Sequence, residues 1–255
     1  AEEQAIALHK RYQGKVETAL RCRVTSHSDF AIWYTPGVAQ PCLAINKNPD
    51  LVYELTHAGN TVAVISDGTR VLGLGDIGPK AGLPVMEGKA LLYKYLGGVD
   101  AWPIMLDTKD PDKFIETVLL LQPGFGGINL EDIAAPRCFE VERRLRERLD
   151  IPVFHDDQHG TAIVVLAALT NALRVVDKAL GSIRIVIAGA GAAGTAIATV
   201  LLAAGAGDVV MVDKTGTLVA DDESLTDAQR ELASRTNRNQ VRTDLPGALV
   251  GSDVF

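Results

Sequence analysis

The chain is poor in cysteine. Its three thiols, Cys22, Cys42 and Cys138, form no CxxC pair and no Cys/His cluster. They read as isolated residues that pack as small hydrophobes in a reducing cytoplasm. Long apolar runs are missing too. The longest, residues 163–169, is far too short to cross a bilayer, so no membrane partner is expected. The opening AEEQAIALHKRYQGK has no apolar stretch behind a basic one and does not read as a signal peptide. Basic charge is in deficit: 25 Lys and Arg stand against 32 Asp and Glu, a formal net charge of −7. Nucleic-acid binding relies on basic stripes that neutralise phosphate, so that partner is not expected either. These absences are read as a soluble, cytoplasmic protein, and leave room for a small anionic substrate held by a few well-placed Lys and Arg.

What is present is ample core. A hydrophobic content of 47% against 22% charged residues is ordinary for a globular protein, and 255 residues suffice for two modest domains. Strand-like runs at residues 61–66 (TVAVIS), 102–106 (WPIML), 127–130 and 152–154 alternate with helical patterns at 84–96, 114–121 and 137–149. Such alternation predicts an α/β fold, a parallel or mixed sheet with helices on its faces. Residues 161–180 read as one long buried helix leading into a second unit that starts at Ile183. Residues 221–237 are polar and charged and read as a surface helix with its flanks.

Two segments fit GxGxxG. In the first, Gly73 to Gly78, Asp76 places negative charge where a pyrophosphate would lie, and Pro79 and Pro84 argue against a helix opening at the turn. This copy reads as an active-site loop. The second, Gly189-Ala190-Gly191-Ala192-Ala193-Gly194, follows an apolar run at 183–188 and opens into a helical stretch at 195–204. Its glycines permit a tight turn, close approach of backbone to pyrophosphate and close helix–strand packing. A further strand at 208–212 ends in Asp213, where a ribose-binding acid is expected. The pattern predicts a Rossmann-type dinucleotide-binding domain. Asp213 leans slightly to NAD, while Lys214 beside it leaves NADP open.

Two acidic pairs follow two strands: Glu131 and Asp132 after 127–130, Asp156 and Asp157 after 152–154. In open α/β sheets, ligands collect outside the carboxyl ends of strands, so the pairs are placed to converge. Their mutual repulsion calls for a cation or protons, and oxygen ligands favour Mg²⁺ or Mn²⁺ over Zn²⁺. The alternative is that the acids are helix caps or turn residues. His155 and His159 flank the second pair but offer no third zinc ligand, and read as hydrogen-bonded structural residues.

Taken together the motifs resemble the malic enzymes, in particular their short bacterial and archaeal type. The carrying segments are Tyr34-Thr-Pro-Gly-Val-Ala39, Ser66-Asp-Gly-Thr-Arg70 running into Gly73-Leu-Gly-Asp-Ile-Gly-Pro79, and Leu83-Pro-Val-Met-Glu-Gly-Lys-Ala90. Asn129-Leu-Glu-Asp-Ile133, Phe154-His-Asp-Asp-Gln-His-Gly-Thr161 and the turn at 189–194 follow.

The resemblance implies oxidative decarboxylation of malate to pyruvate and CO₂, with reduction of NAD or NADP and a divalent metal. Lys89 matches the base that takes the substrate hydroxyl proton, and Tyr34 the acid that protonates the enol. Asp156 matches the acid that interacts with the lysine, and Arg70 an arginine that holds a substrate carboxylate. Glu131, Asp132 and Asp157 match the metal ligands. Gly189, Gly191, Ala192, Ala193, Gly194 and Asp213 match cofactor-binding positions. An N-terminal α/β substrate and metal domain is expected over residues 1–159, followed by the cofactor domain over 160–255, in a homodimer or homotetramer. By the same resemblance the last residues match the middle of the family's cofactor domain, so that domain is expected to be incomplete. A catalytically incomplete fragment that binds metal or nucleotide without turnover, and oxaloacetate decarboxylation without net redox, are the competing expectations.

Overall fold

The computed structural model describes residues 2–255. By packing, the chain divides into two units. One comprises the residues up to Ile133 with Val141–Phe154; the other comprises Ala134–Glu140 with His155–Phe255.

The first unit begins with α1 (Glu2–Tyr12), α2 (Phe30–Trp33), α3 (Ala39–Lys47) and α4 (Val52–Leu55). None of these helices buries a residue. Cys42, on α3, is accordingly exposed rather than packed as a core hydrophobe, whereas Cys138 is buried. An alternating segment follows: β1 (Thr61–Ser66), α5 (Gly78–Gly97), β2 (Asp100–Met105), α6 (Pro111–Leu121), β3 (Gly127–Leu130), α7 (Arg137–Arg148) and β4 (Val153–His155). The strands lie in the order β2-β1-β3-β4, with β1 parallel to both β2 and β3.

The continuous apolar run of β1 is what a strand covered on both faces requires. Ala63, Val64 and Ile65 have no solvent exposure, and Val64 packs with Met86 and Ala90 of α5 and with Ala101 of β2. Helix α6 starts at Asp110, whose carboxylate accepts the N–H groups of Asp112 and Lys113, with Pro111 in the first turn. That is the capping chemistry a helix start favours. Its Phe114, Ile115 and Val118 form the buried face.

One expectation fails in α5. Pro79 and Pro84 do not prevent a continuous helix from opening at Gly78. Pro79 lies in the first turn, where its missing N–H has no intrahelical partner to lose. Pro84 does forfeit a bond, at a cost of about 3 kcal/mol, but the helix is 20 residues long and buries Gly82, Met86 and Ala90.

The second unit contains α8 (Asp156–Val175), β5 (Arg184–Ala188), α9 (Ala192–Ala203), β6 (Asp208–Asp213), β7 (Gly216–Thr217), α10 (Asp227–Ala233) and α11 (Leu245–Leu249). β5 and β6 are parallel, and β7 joins β6 antiparallel. Val254 adds a parallel bridge to Ile185. Leu169 and Leu173 of α8 share a core with Ile185, Ala198, Leu201, Val209 and Met211.

Helix α8 starts at Asp156, earlier than its apolar pattern predicts, which puts both acids in the first turn. Residues 221–237 form a helix with flanks, as expected, but bury more than a surface helix would. Only Asp227–Ala233 is helical, and Leu225, Leu232 and Ala233 belong to the core. Most of the polar and charged residues of this segment are exposed, but Thr236 and Asn237 are buried and bond to backbone. Asn237, 2% exposed, donates to the Leu218 and Val241 carbonyls, and Gln240 donates to those of Ala233, Thr236 and Asn237.

Candidate active site

The sheet order puts the next strand after β1 on one side and β3 on the other. Loops leaving the carboxyl ends of β1 and β3 therefore part, and a crevice opens between them. After β1, Ser66 Oγ accepts the Gly68 N–H at 3.0 Å. Buried Asp67 accepts the N–H and hydroxyl of Thr69 at 3.1 and 2.6 Å. This tight turn presents Arg70, whose N–H donates to the Asp132 carbonyl at 3.0 Å. The first glycine motif comes next. Val71 bridges to Gly75, and the chain then enters α5, which carries Lys89.

Glu131 and Asp132 follow β3 and are 5% and 4% exposed. Asp132 has a φ of +54°, a left-handed conformation that costs a non-glycine residue about 1–3 kcal/mol and recurs at ligand clamps. Asp157 lies just past β4 in the first turn of α8, and β4 neighbours β3 in the sheet. Glu131 and Asp132 are thus adjacent buried carboxylates at the end of β3, while Asp157 belongs to the second unit. Adjacent buried acids repel unless a cation or protons neutralise them. A set of oxygen donors, two of them on buried residues, suits a hard divalent cation such as Mg²⁺ or Mn²⁺.

Lys89 sets its Nζ 3.1 Å from Glu131 Oε1, with its side chain 20% exposed. Asp157 is flanked by His155, which has no solvent exposure. The Gln158 amide nitrogen lies 2.9 Å from His155 Nδ1. An amide nitrogen only donates, so Nδ1 accepts and the proton sits on Nε2, 3.2 Å from Asp157 Oδ2. That approach does not have hydrogen-bond geometry, and among the described residues Nε2 has no hydrogen-bond partner. Asp156 occupies the space a side chain at Gly160 would fill: a Cβ there would lie 2.1 Å from Asp156 Oδ1.

Tyr34 sits at the end of α2 and is 69% exposed. Among the described residues no hydrogen bond joins its hydroxyl to Lys89 or to the acids. Sequence reasoning gave no role to Tyr93, Asn129, Gln158 or Gly160, although the last three stand inside the motifs quoted for the resemblance. A glycine one helical turn after an acid is a signal for the last of these; no local signal marks the others.

In the second unit, Gly189 has a φ of +114° and donates its N–H to the Val212 carbonyl at 2.7 Å. Gly191 precedes α9, so Ala192 and Ala193 offer first-turn N–H groups. A Cβ at Gly194 would lie 1.9 Å from the Gly189 carbonyl oxygen, so only glycine lets the helix approach the turn. A cavity of about 370 Å³ is lined by Gly189, Ala190, Asp213, Lys214, Gln229 and Leu245 among others. Asp213 Oδ1 accepts the N–H and hydroxyl of Thr215 at 2.7 and 2.6 Å.

Comparison with known proteins agrees with both units. The family model described as malic enzyme, N-terminal domain, matches residues 13–146. The one described as malic enzyme, NAD binding domain, matches residues 158–249. An NAD-dependent malic enzyme of Geobacillus stearothermophilus is 54% identical over 95% of this chain and 51% of its own length. A bifunctional malic/malolactic enzyme of Bacillus subtilis is 51% identical, over 99% of this chain and 62% of that protein. An NADP-dependent malic enzyme of Escherichia coli is 49% identical over 95% and 32%. The crystal structure of malic enzyme from Pyrococcus horikoshii superposes with a TM-score of 0.95 at 48% identity, covering all of this chain and 61% of that one. The chain thus spans about half the length of the first two curated relatives and a third of the next.

Proposed function

The chain belongs to the malic enzyme family, and from that premise we propose that it carries the metal and substrate site, and a nucleotide turn, of an enzyme that oxidatively decarboxylates malate to pyruvate and CO₂. The observation that supports this reading is the pair of buried acids Glu131 and Asp132 at the end of β3, with Lys89 Nζ 3.1 Å from Glu131. Residues 1–159 are assigned to substrate and metal, and 160–255 to NAD or NADP, with the slight lean to NAD resting on Asp213. Three free thiols suit the cytoplasmic location assigned to it. No helix of the described residues is long and apolar enough to cross a membrane. A homodimer or homotetramer is part of the same reading.

In this proposal the three acids hold Mg²⁺ or Mn²⁺. When bound, the metal supplies Lewis-acid polarisation of the substrate's C2 oxygen, and NAD(P) supplies the hydride acceptor. Lys89 takes the proton from the C2 hydroxyl as that oxygen becomes a carbonyl. Arg70, whose backbone N–H donates to the Asp132 carbonyl and whose guanidinium donates to the Leu72 carbonyl, is assigned to hold a substrate carboxylate. Asp156 acts on the lysine. After the C3–C4 bond breaks, Tyr34 delivers a proton to C3, and pyruvate results.

The test is to mix the chain with malate, Mn²⁺ and either NAD or NADP and follow reduced nicotinamide by absorbance, alongside Lys89→Ala. The expected result is turnover in the parent, and in the variant its loss by about two orders of magnitude or more with Mn²⁺ binding retained. Undiminished turnover in Lys89→Ala would remove the lysine's role. Because the chain spans only about half of its first two relatives, a second reading is binding without turnover. Intact Mn²⁺ and nucleotide binding with no reduced cofactor supports it. Pyruvate formed from oxaloacetate with no cofactor added would point to decarboxylation alone.

A further inference from the structure

Glu131 is held from two directions, and one of the groups responsible is remote from it in sequence. Asn129 precedes it by two residues on the same face of the strand line and donates from Nδ2 to Glu131 Oε2 at 2.8 Å. The Tyr93 hydroxyl donates to Asn129 Oδ1 at 3.0 Å. The direction of this chain is fixed by chemistry. A carboxylate only accepts, so the amide nitrogen of Asn129 must face Glu131; its oxygen then faces Tyr93, whose hydroxyl must donate. Asn129 is 1% exposed and Glu131 5%, so bulk water offers little competition for these contacts.

Helix α5 therefore reaches the carboxylate twice. Lys89 contacts Oε1 directly at 3.1 Å. Tyr93, one helical turn further on and on the same helix face, acts on Oε2 through Asn129.

We propose that Tyr93 and Asn129 are positioning residues that hold the Glu131 carboxylate in its ligating orientation, an inference that rests on the metal reading above. The partners that orient a metal ligand set affinity nearly as strongly as the ligand does. In this proposal their effect on the metal passes through Glu131.

The test is calorimetric titration of Mn²⁺ into the metal-free chain, its Tyr93→Phe variant and its Asn129→Ala variant, with the melting temperature of each measured without metal. Asn129→Ala is expected to raise the Mn²⁺ Kd by about 10–100-fold. Tyr93→Phe, which removes one hydroxyl from an otherwise intact side chain, is expected to raise it by about 10-fold, the weak end of such effects. Its metal-free melting temperature should hardly change. Should Asn129→Ala fail to fold, Tyr93→Phe decides alone. A wild-type Kd in Tyr93→Phe, whether or not its melting temperature falls, overturns the proposal and leaves the pair a purely structural contact. If the parent chain itself takes up no Mn²⁺, the metal reading falls and this inference falls with it.

Discussion

Asp100 opens the edge strand β2 and gathers three donors. Lys94 reaches it at 2.7 Å, Arg21 pairs with it, and the Asn60 amide lies 3.4 Å away. The Lys94 hydrogen bond, outweighing partial burial and helped by Arg21, holds its carboxyl below the usual carboxylate range. A depressed folded-state pKa contributes stability that is present above the unfolded value, about 3.9, and is lost as pH falls through the folded one. Asp100→Asn is therefore expected to lower the melting temperature at about pH 7, with the gap to the parent closing as the pH drops below about 4. A gap of constant size across a series of melts at stepped pH would mean that the ionised form is not the source. Pairings of this kind were illegible in the sequence, and so were Tyr93 and Asn129. Their 36-residue separation carries no periodic signal, and each looks like ordinary helix or strand filling. That Glu131 and Asp132 close one strand and Asp157 follows another was legible, because apolar runs stop abruptly at acids.

At the scale of elements, the turn between β5 and α9 makes the sharpest demand on sequence. The missing side chain at Gly194 lets α9 pass over the Gly189 carbonyl. Gly194→Ala forces the helix away from its strand, an overpacking that costs about 1–3 kcal/mol. It also withdraws the first-turn N–H groups from the pyrophosphate position. The expected outcome is a lower melting temperature and an NAD affinity reduced by about tenfold or more, read by calorimetry. Wild-type affinity in that variant would show that the turn does not cradle a nucleotide. This element was legible because glycine spacing, strand and helix all follow from one local pattern. Helix α5 was only half legible: local propensity stops it at its prolines, and burial against β1 and β2 overrides that preference. Residues 221–237 were legible as a helix with exposed polar flanks, but the burial of Leu225, Leu232 and Asn237 was not. A polar composition describes side chains, whereas here Asn237 and Gln240 spend their polarity on backbone.

At the scale of the molecule, the N-terminal helices pose a stability problem. Helices of 4 to 11 residues do not hold their shape in water without tertiary packing, yet α1–α4 bury no residue. Leu20 is 79% exposed, Ile32 66% and Trp33 54%. Single exposed apolar side chains are unremarkable, but a run of them in one segment marks an interaction surface. A second copy of the chain is the occupant assigned here, and a stable pairing needs about 800 Å² from each partner, an area that apolar residues spread over four helices can supply. Light scattering on the eluting chain is therefore expected to report a mass twice or four times that of the 27.1 kDa monomer. Replacing Ile32 and Trp33 together by aspartate should shift it to the monomer, since charge buried in an apolar contact without a partner is strongly unfavourable. A parent chain that elutes as a monomer at micromolar concentration would leave these helices without the cover proposed for them. Tyr34 directly follows Trp33, so loss of that contact is also expected to reduce malate turnover more than Mn²⁺ affinity, because Glu131 and Asp132 follow the buried strand β3 and the tyrosine lies on the exposed segment.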